Sequence, residues 1–219
     1  METMVTEQKD LFYLTEKKYV RNVEVYYLGK TDKIDHFQVL VVEFDFSDDD
    51  NAEGILIKEI SYLFDELEIF VDEEGNILKI GNLDFLKRRW IIISGKLSLS
   101  HKGETIDNYL AQISELLENE QELIDFLSGY KMFGLLFNGL LNSFQNKTSR
   151  VSSEGLTEIL KVKIESDTTM ISISADNIED TGIKDFSGIL QYRNDRYEEG
   201  FIQVKKHNYH LKHSLLWIG

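Results

Sequence analysis

The stretch VDEEGNILKI, Val71 to Ile80, decides the fold. An acidic cluster runs into a glycine and then into alternating apolar residues. It can be read as a calcium loop, as a catalytic carboxylate pair, or as a turn between two strands. An EF-hand loop puts oxygen ligands at its first, third and fifth positions, glycine at the sixth and a bidentate glutamate at the twelfth. With Gly75 as the sixth, the first is Phe70 and the twelfth is Gly81, and neither can hold a cation. A general acid needs burial or a charge partner to move its pKa, and Asp72, Glu73 and Glu74 at a solvated tip have neither. Gly75 supplies the left-handed backbone of a three-residue hairpin loop with a bulge. The stretch therefore predicts a β-hairpin with LEIFV as one strand and NILKI as the other.

Working outward, YVRNVEVYY and HFQVLVVEFDF are rich in β-branched and aromatic residues and predict a second antiparallel pair around LGKTDKID. SDDDNAEG is a loop, and Ile55 to Leu67 has Ile57, Ile60, Leu63 and Phe64 at helical spacing. WIIISGKLSLS, with Leu97 and Leu99 alternating with Lys96, Ser98 and Ser100, reads as a strand. Ile106, Tyr109, Leu110, Ile113, Leu116 and Leu117 form the stripe of an amphipathic helix. Asn119 caps a second helix with Glu122 as its box partner, and Gly129 stops it. Met132 to Phe144, apolar around most of its circumference, predicts a third. Further on, ESDTT and RNDR are the turns of two more hairpins, and SLLWIG closes the last strand.

The fold class is α+β: a curved antiparallel β-sheet with a helical insert of two to three helices packed on it. Residues 1–145 hold strands and the insert, 146–155 (NKTSRVSSEG) form a polar linker, and 156–219 supply strands completing the same or an adjoining sheet.

Composition narrows function. The 219-residue chain has 42% hydrophobic content, too much for a disordered polymer. It has no cysteine, which removes disulfides, zinc fingers, iron–sulfur clusters and thiol nucleophiles. Its 39 acidic and 24 basic side chains leave a net charge of −15, which opposes phosphate backbones and anionic membranes and would steer a basic partner. The N-terminus lacks a basic start followed by an apolar run, so no secretory signal is expected. The longest greasy run, Met132 to Leu141, is about half of the roughly 20 residues a membrane helix needs. A cytoplasmic protein that does not insert in membranes follows as the expectation.

No strong catalytic motif is present. GKT at Gly29 to Thr31 lacks the glycine that a phosphate loop places five residues earlier, where Glu24 stands. No GxSxG elbow occurs. Asp49, Asn51, Glu53 and Gly54 come nearest to a calcium loop; its twelfth position is Ile60, one past Glu59, which leaves either a weak, low-affinity cation site or a solvated loop as the expectation. His207, His210 and His213 are weak candidate metal ligands: on a helix all three share one side, where zinc could use them, but on a strand, which the surrounding pattern favours, His210 points away from the other two. The reading leans away from an enzyme and needs no cofactor. Trp90 reads as core, whereas Trp217 near the C-terminus must be tied into a sheet or held by a partner.

VDEEGNILKIGNLDFLKRRW and the following NYLAQISELLENEQELIDFLSGYKMFGLLFNGL resemble, over roughly residues 67 to 141, uncharacterised bacterial proteins that accompany secretion or injection machinery. The resemblance implies a bacterial assembly component and transfers no activity. The expectation is a non-enzymatic protein-binding module: an adaptor, chaperone or assembly component. Its contacts would be Phe133, Leu136, Phe137 and Leu140 on the third helix, if that helix is not wholly buried, together with Trp217. Two alternatives are a carrier of a small apolar ligand and an acidic immunity protein neutralising a basic toxin. The sequence does not specify oligomeric state.

Overall fold

The structure, a computed structural model, describes residues 1–8, 14–47, 52–140, 147–152, 155–176, 178, 181–194 and 196–218. The trial calcium loop around Asp49 and Asn51 lies outside them, as do residues 141–144 of the expected third helix. The chain divides into two compact units, one of Met1–Val20 with Ser128–Gly219 and one of Arg21–Leu127. Strand β1 (Glu2–Gln8) belongs to the first, and β2 (Leu14–Thr31) contributes residues to both.

In the Arg21–Leu127 unit, β2 is followed by β3 (Ile34–Phe46), α1 (Ala52–Ser61), a 3-10 turn (Tyr62–Phe64), β4 (Glu66–Val71) and β5 (Ile77–Ile80). The helices α2 (Leu83–Ser100), α3 (Glu104–Glu118) and α4 (Glu120–Leu127) complete it. The sheet order is β2-β3-β4-β5, with β3–β4 and β4–β5 antiparallel. Period-two alternation buries Leu67, Ile69 and Val71 on one face and leaves Glu66, Glu68 and Phe70 on the other.

The decisive stretch is a hairpin. Asp72 N–H donates to Asn76 O at 3.0 Å, and Gly75 sits at φ 88°. The Asp72 carboxylate accepts from the backbone N–H groups of Glu74 (2.9 Å) and Asn76 (2.8 Å). It shapes the turn itself, as aspartate side chains do in Asx turns.

Asn82 follows β5 and carries no side-chain helix cap. Its Nδ2 donates to Glu66 O and its Oδ1 accepts from Glu68 N–H, both at 3.0 Å, so the amide extends the pairing of β4 beyond the end of β5. Asn119 caps α4 as expected, but Glu122 meets its side-chain amide rather than its backbone N–H, so the box is incomplete. Asn119 Oδ1 accepts from Gln121 N–H at 3.2 Å, and its Nδ2 donates to Glu122 Oε1 at 2.6 Å.

WIIISGKLSLS, expected as a strand, is the second half of the 18-residue helix α2. Leu86, Trp90 and Leu97 are buried along one side at helical spacing, and Trp90 Nε1 donates to Ser114 Oγ of α3 at 2.8 Å. The alternating serines that suggest a strand fold their hydroxyls back onto the helix. Ser94 Oγ donates to Trp90 O at 2.7 Å and Ser98 Oγ to Ser94 O at 2.8 Å.

In the other unit the sheet order is β2-β1-β11-β10-β9-β8-β7-β6, with antiparallel neighbours. These strands are β6 (Ser149–Val151), β7 (Thr157–Glu165), β8 (Thr168–Asp176), β9 (Ile183–Arg193), β10 (Arg196–Lys206) and β11 (Tyr209–Leu216). The polar stretch 146–155 thus contains a short strand, β6, paired with β7. The β7–β8 hairpin turns at Ser166, φ 55°, as ESDTT predicts.

The third helix expected from Met132 is absent: described residues 131–137 form turns and bends. Gly134 N–H donates to Gly129 O at 3.0 Å, and a Cβ at position 134 would lie 2.2 Å from Ser128 O. Asn138 then competes for the backbone: its Nδ2 donates to Leu135 O and its Oδ1 accepts from Leu140 N–H, both at 3.0 Å. Gly139 reverses the chain at φ 67°. Tyr130, Leu135 and Leu140 pack with Leu160, Ile171, Phe186, Leu190 and Ile202 as the core over this sheet.

Candidate protein-docking face

The three candidate histidines lie on or beside β10 and β11. His207 Nδ1 is 2.8 Å from Lys184 Nζ, and His210 Nε2 is 3.3 Å from Gln203 Oε1. His213 is buried, with Nδ1 2.9 Å from Thr3 Oγ1 across the β1–β11 pair. The three have separate partners, and no group of three potential metal ligands converges among the described residues.

Burial also governs the expected contact residues. Phe133 is 1% exposed, Phe137 and Leu140 are buried, and Leu136 is half-buried. Being apolar and lacking a helix to present them, they serve the core. Trp217 is exposed, and its backbone N–H donates to Glu198 O of β10 at 2.7 Å, which ties the chain end to the sheet.

One buried polar cluster was not anticipated. Glu158, on the core face of β7 beside Leu160, is 0% exposed. Tyr130 Oη donates to its Oε1 at 2.6 Å and Arg150 Nε to its Oε2 at 2.7 Å. Arg150 Nη2 also donates to Tyr130 Oη at 2.7 Å, and Nη1 to Asn138 O. Burial pushes the Tyr130 hydroxyl well above its ordinary pKa, so it stays a donor and cannot serve as a base. The guanidinium of Arg150 is held charged above its ordinary value because Tyr130 and Glu158 outweigh its desolvation. Each member satisfies the others, so the cluster is a latch joining the irregular 128–140 segment and β6 to β7. The local signal is slight: Glu158 falls in phase with Leu160 and Val162 in TEILKV.

An open groove of about 460 Å³ beside β10 and β11 is lined in part by Glu2, Phe201, Lys212 and Leu216. A smaller one of about 200 Å³ is lined by Leu28, Gln38, Glu66, Glu68, Asn82 and Phe85. Met1, Val20, Ile189 and Leu215 also line the first, and its Glu2 carboxylate is paired with Lys18 at 2.6 Å.

The outer side of α2 is different. Opposite Leu86, Trp90 and Leu97, one helical side presents Phe85, Arg88, Ile92, Gly95 and Leu99, flanked by Ile91. Ile91 is 70% exposed, Ile92 71% and Leu99 81%. Phe85, Ile92 and Leu99 are spaced by seven residues, so they form one seam along the helix. Lys96 Nζ reaches Glu59 Oε2 of α1 at 4.0 Å, and Ile55 and Tyr62, one turn to either side of Glu59, are also exposed. Scattered exposed aliphatic residues are ordinary on a protein surface, but a contiguous exposed strip marks an interaction site.

Charge sets this helix apart. Within Leu83–Ser100 there are four cations (Lys87, Arg88, Arg89 and Lys96) and one carboxylate, Asp84, in a chain of net charge −15. Arg89 turns inward to Asp65 as a two-pronged ion pair, and Lys87 reaches Glu118 Oε2 at 2.8 Å. Arg88 and Lys96 remain on the exposed side, where Asp84 stands one turn before Arg88 and Glu59 lies against Lys96. Sequence reasoning missed the face by reading it as a strand. A seven-residue count over Phe85, Ile92 and Leu99 would have found it.

Fold and site together define a mixed α+β protein with antiparallel strands and an exposed apolar strip along one helix. No protein-family model matches the chain, and no curated protein matches it. Among the described residues no helix is long and apolar enough to cross a membrane.

Proposed function

We propose that the protein is a non-enzymatic protein-binding module that docks its partner on the outer face of α2. The observation that carries this reading is the exposure of Ile91, Ile92 and Leu99 on one rigid helix whose opposite side is anchored by Trp90. Covering each aliphatic side chain would contribute roughly 1.5–3 kcal/mol before the costs of association. A helix already held by its own core loses little further entropy on binding.

The test compares the wild type with Ile92→Asp/Leu99→Asp in capture from native lysate. A stoichiometric protein retained by the wild type and lost from the variant, with unchanged thermal unfolding, supports the reading. The same partner retained by a folded variant ends it.

A further inference from the structure

We infer that the groove beside β10 and β11 binds an apolar dipeptide with free termini, its carboxylate on Lys212 and its ammonium on Glu199. The site is separate from the α2 face, and the inference does not rest on the docking reading above.

Strand alternation builds the groove. Ile202 and His213 are buried on one side of the sheet, so Phe201, Lys212 and Ser214 stand on the other. On that side Ser214 lies between Glu2 and Phe201, Phe201 pairs with Ile189, and Glu199 pairs with Leu216. Phe201, Ile189, Met170 and Leu216 give the groove an apolar floor, and its volume of about 460 Å³ falls in the range of small-molecule sites.

Three polar groups face this floor and are not used up by the protein itself. Lys212 Nζ lies over the Phe201 ring, 5.1 Å from its centroid. Glu199 is exposed at the level of Leu216. Among the described residues neither forms an ion pair, and the Ser214 hydroxyl makes no hydrogen bond. The remaining carboxylate of the groove, Glu2, is held by Lys18 at 2.6 Å. An apolar surface with a few uncommitted polar groups around it is the pattern of a ligand site.

Spacing and charge select the ligand. Phe201, which carries the Lys212 ammonium above its ring, and Glu199 are two residues apart on β10, a separation of about 7 Å along a strand. Two residues of extended peptide also span at most about 7 Å. A single amino acid holds both charges on one carbon and reaches only one of the two groups. A fatty acid would satisfy Lys212 but lay its chain against the Glu199 carboxylate, which then loses water without gaining a partner. A dipeptide satisfies both ends, offers its amide to Ser214 and covers Phe201 and Ile189 with its side chains. It carries no net charge, so the −15 of the chain neither draws nor repels it.

The probe is the dipeptide Leu-Phe, titrated into the nitrogen-15-labelled full chain and read from the backbone amide signals of Phe201, Ser214 and Leu216. Saturable shifts at these residues are expected. Exposed ion pairs are individually modest, so N-acetyl-Leu-Phe and Leu-Phe amide should each bind at least threefold more weakly. The acetyl penalty should vanish in Glu199→Gln and the amide penalty in Lys212→Met, which ties each terminus to its residue. These comparisons change the ligand on one folded protein, so a loss of stability cannot imitate them. The absence of saturable shifts overturns the inference, as does binding of the blocked peptides equal to that of Leu-Phe. Penalties that persist in both variants overturn it too. Tighter binding of decanoate or decylamine than of Leu-Phe overturns it in favour of an amphiphile charged at one end.

Discussion

Arg150 Nε donates to Glu158 Oε2 at 2.7 Å, and the Glu158 side chain is fully buried beneath that contact. A buried charge pair of this kind is not evidence of net stabilisation over an apolar pair, but removing one partner leaves the other charge uncompensated. Arg150→Met should therefore destabilise the Met1–Val20/Ser128–Gly219 unit by about 3–5 kcal/mol. Glu158→Gln should cost a comparable amount, because it leaves Arg150 without its counter-charge and its amide offers one acceptor oxygen to the two donors, Tyr130 Oη and Arg150 Nε. Urea unfolding of the single variants measures both, and an Arg150→Met loss under 1 kcal/mol would show the pair to be dispensable.

Stability should fall at alkaline pH. Burial raises the hydroxyl pKa of Tyr130, Tyr192 and Tyr197 in the folded state. Above pH of about 10 the unfolded chain releases those protons while the folded chain keeps them. The unfolded state then binds fewer protons, so stability decreases with rising pH, by up to about 1.4 kcal/mol per pH unit per tyrosine. Below pH 10 these groups contribute no slope. Tyr130→Phe should flatten part of the alkaline fall, read from unfolding midpoints between pH 8 and 11. Tyr197 Oη has no hydrogen-bond partner among the described residues, so Tyr197→Phe should be neutral or stabilising by up to about 1 kcal/mol.

Two glycines should respond oppositely to alanine. At Gly95 the new Cβ meets nothing within 4 Å on an exposed helix, so Gly95→Ala should stabilise by about 1 kcal/mol. At Gly134 the Cβ would lie 2.2 Å from Ser128 O, a backbone atom that cannot turn aside, so Gly134→Ala should lower the melting temperature. Equal effects at both sites would contradict the placement of the 128–140 segment.

These pairs also show what was legible beforehand. The Asp72–Asn76 hairpin, the Asn119 cap and the β7–β8 turn could be read because turn and cap chemistry is local, carried by a few side chains and their own backbone. The 128–140 segment misled because its apolar residues answer to the core they cover, while Gly134, Asn138 and Gly139 end any helix locally. In α2 the error ran the other way. Leu97 and Leu99 alternate like strand residues, but Leu97 is anchored with Trp90 on the inner side and Leu99 faces out. A strand would put Leu97 and Leu99 on one face and a helix puts them on opposite sides, but a pair of leucines is too short a run to tell these apart, and tertiary packing decides. Glu158 was overlooked because its burial depends on Arg150 and Tyr130, which lie 8 and 28 residues away in sequence.

The sharpest separation of core from interface uses one aspartate at each of two aliphatic or aromatic positions. Phe137 is 7% exposed, so Phe137→Asp places an unpaired carboxylate in an apolar setting and should unfold the protein or lower its melting temperature severely. Any loss of binding in that variant would follow from unfolding. Ile92 is 71% exposed, so Ile92→Asp should stay within about 0.5 kcal/mol of the wild type. It should nevertheless lose partner capture, because a charged carboxylate then stands in the apolar strip that the partner would cover. Thermal unfolding and capture measured side by side check both halves. A folded, binding-deficient Phe137→Asp, or a folded and fully binding Ile92→Asp, would move the interface from α2 back to the segment before β6.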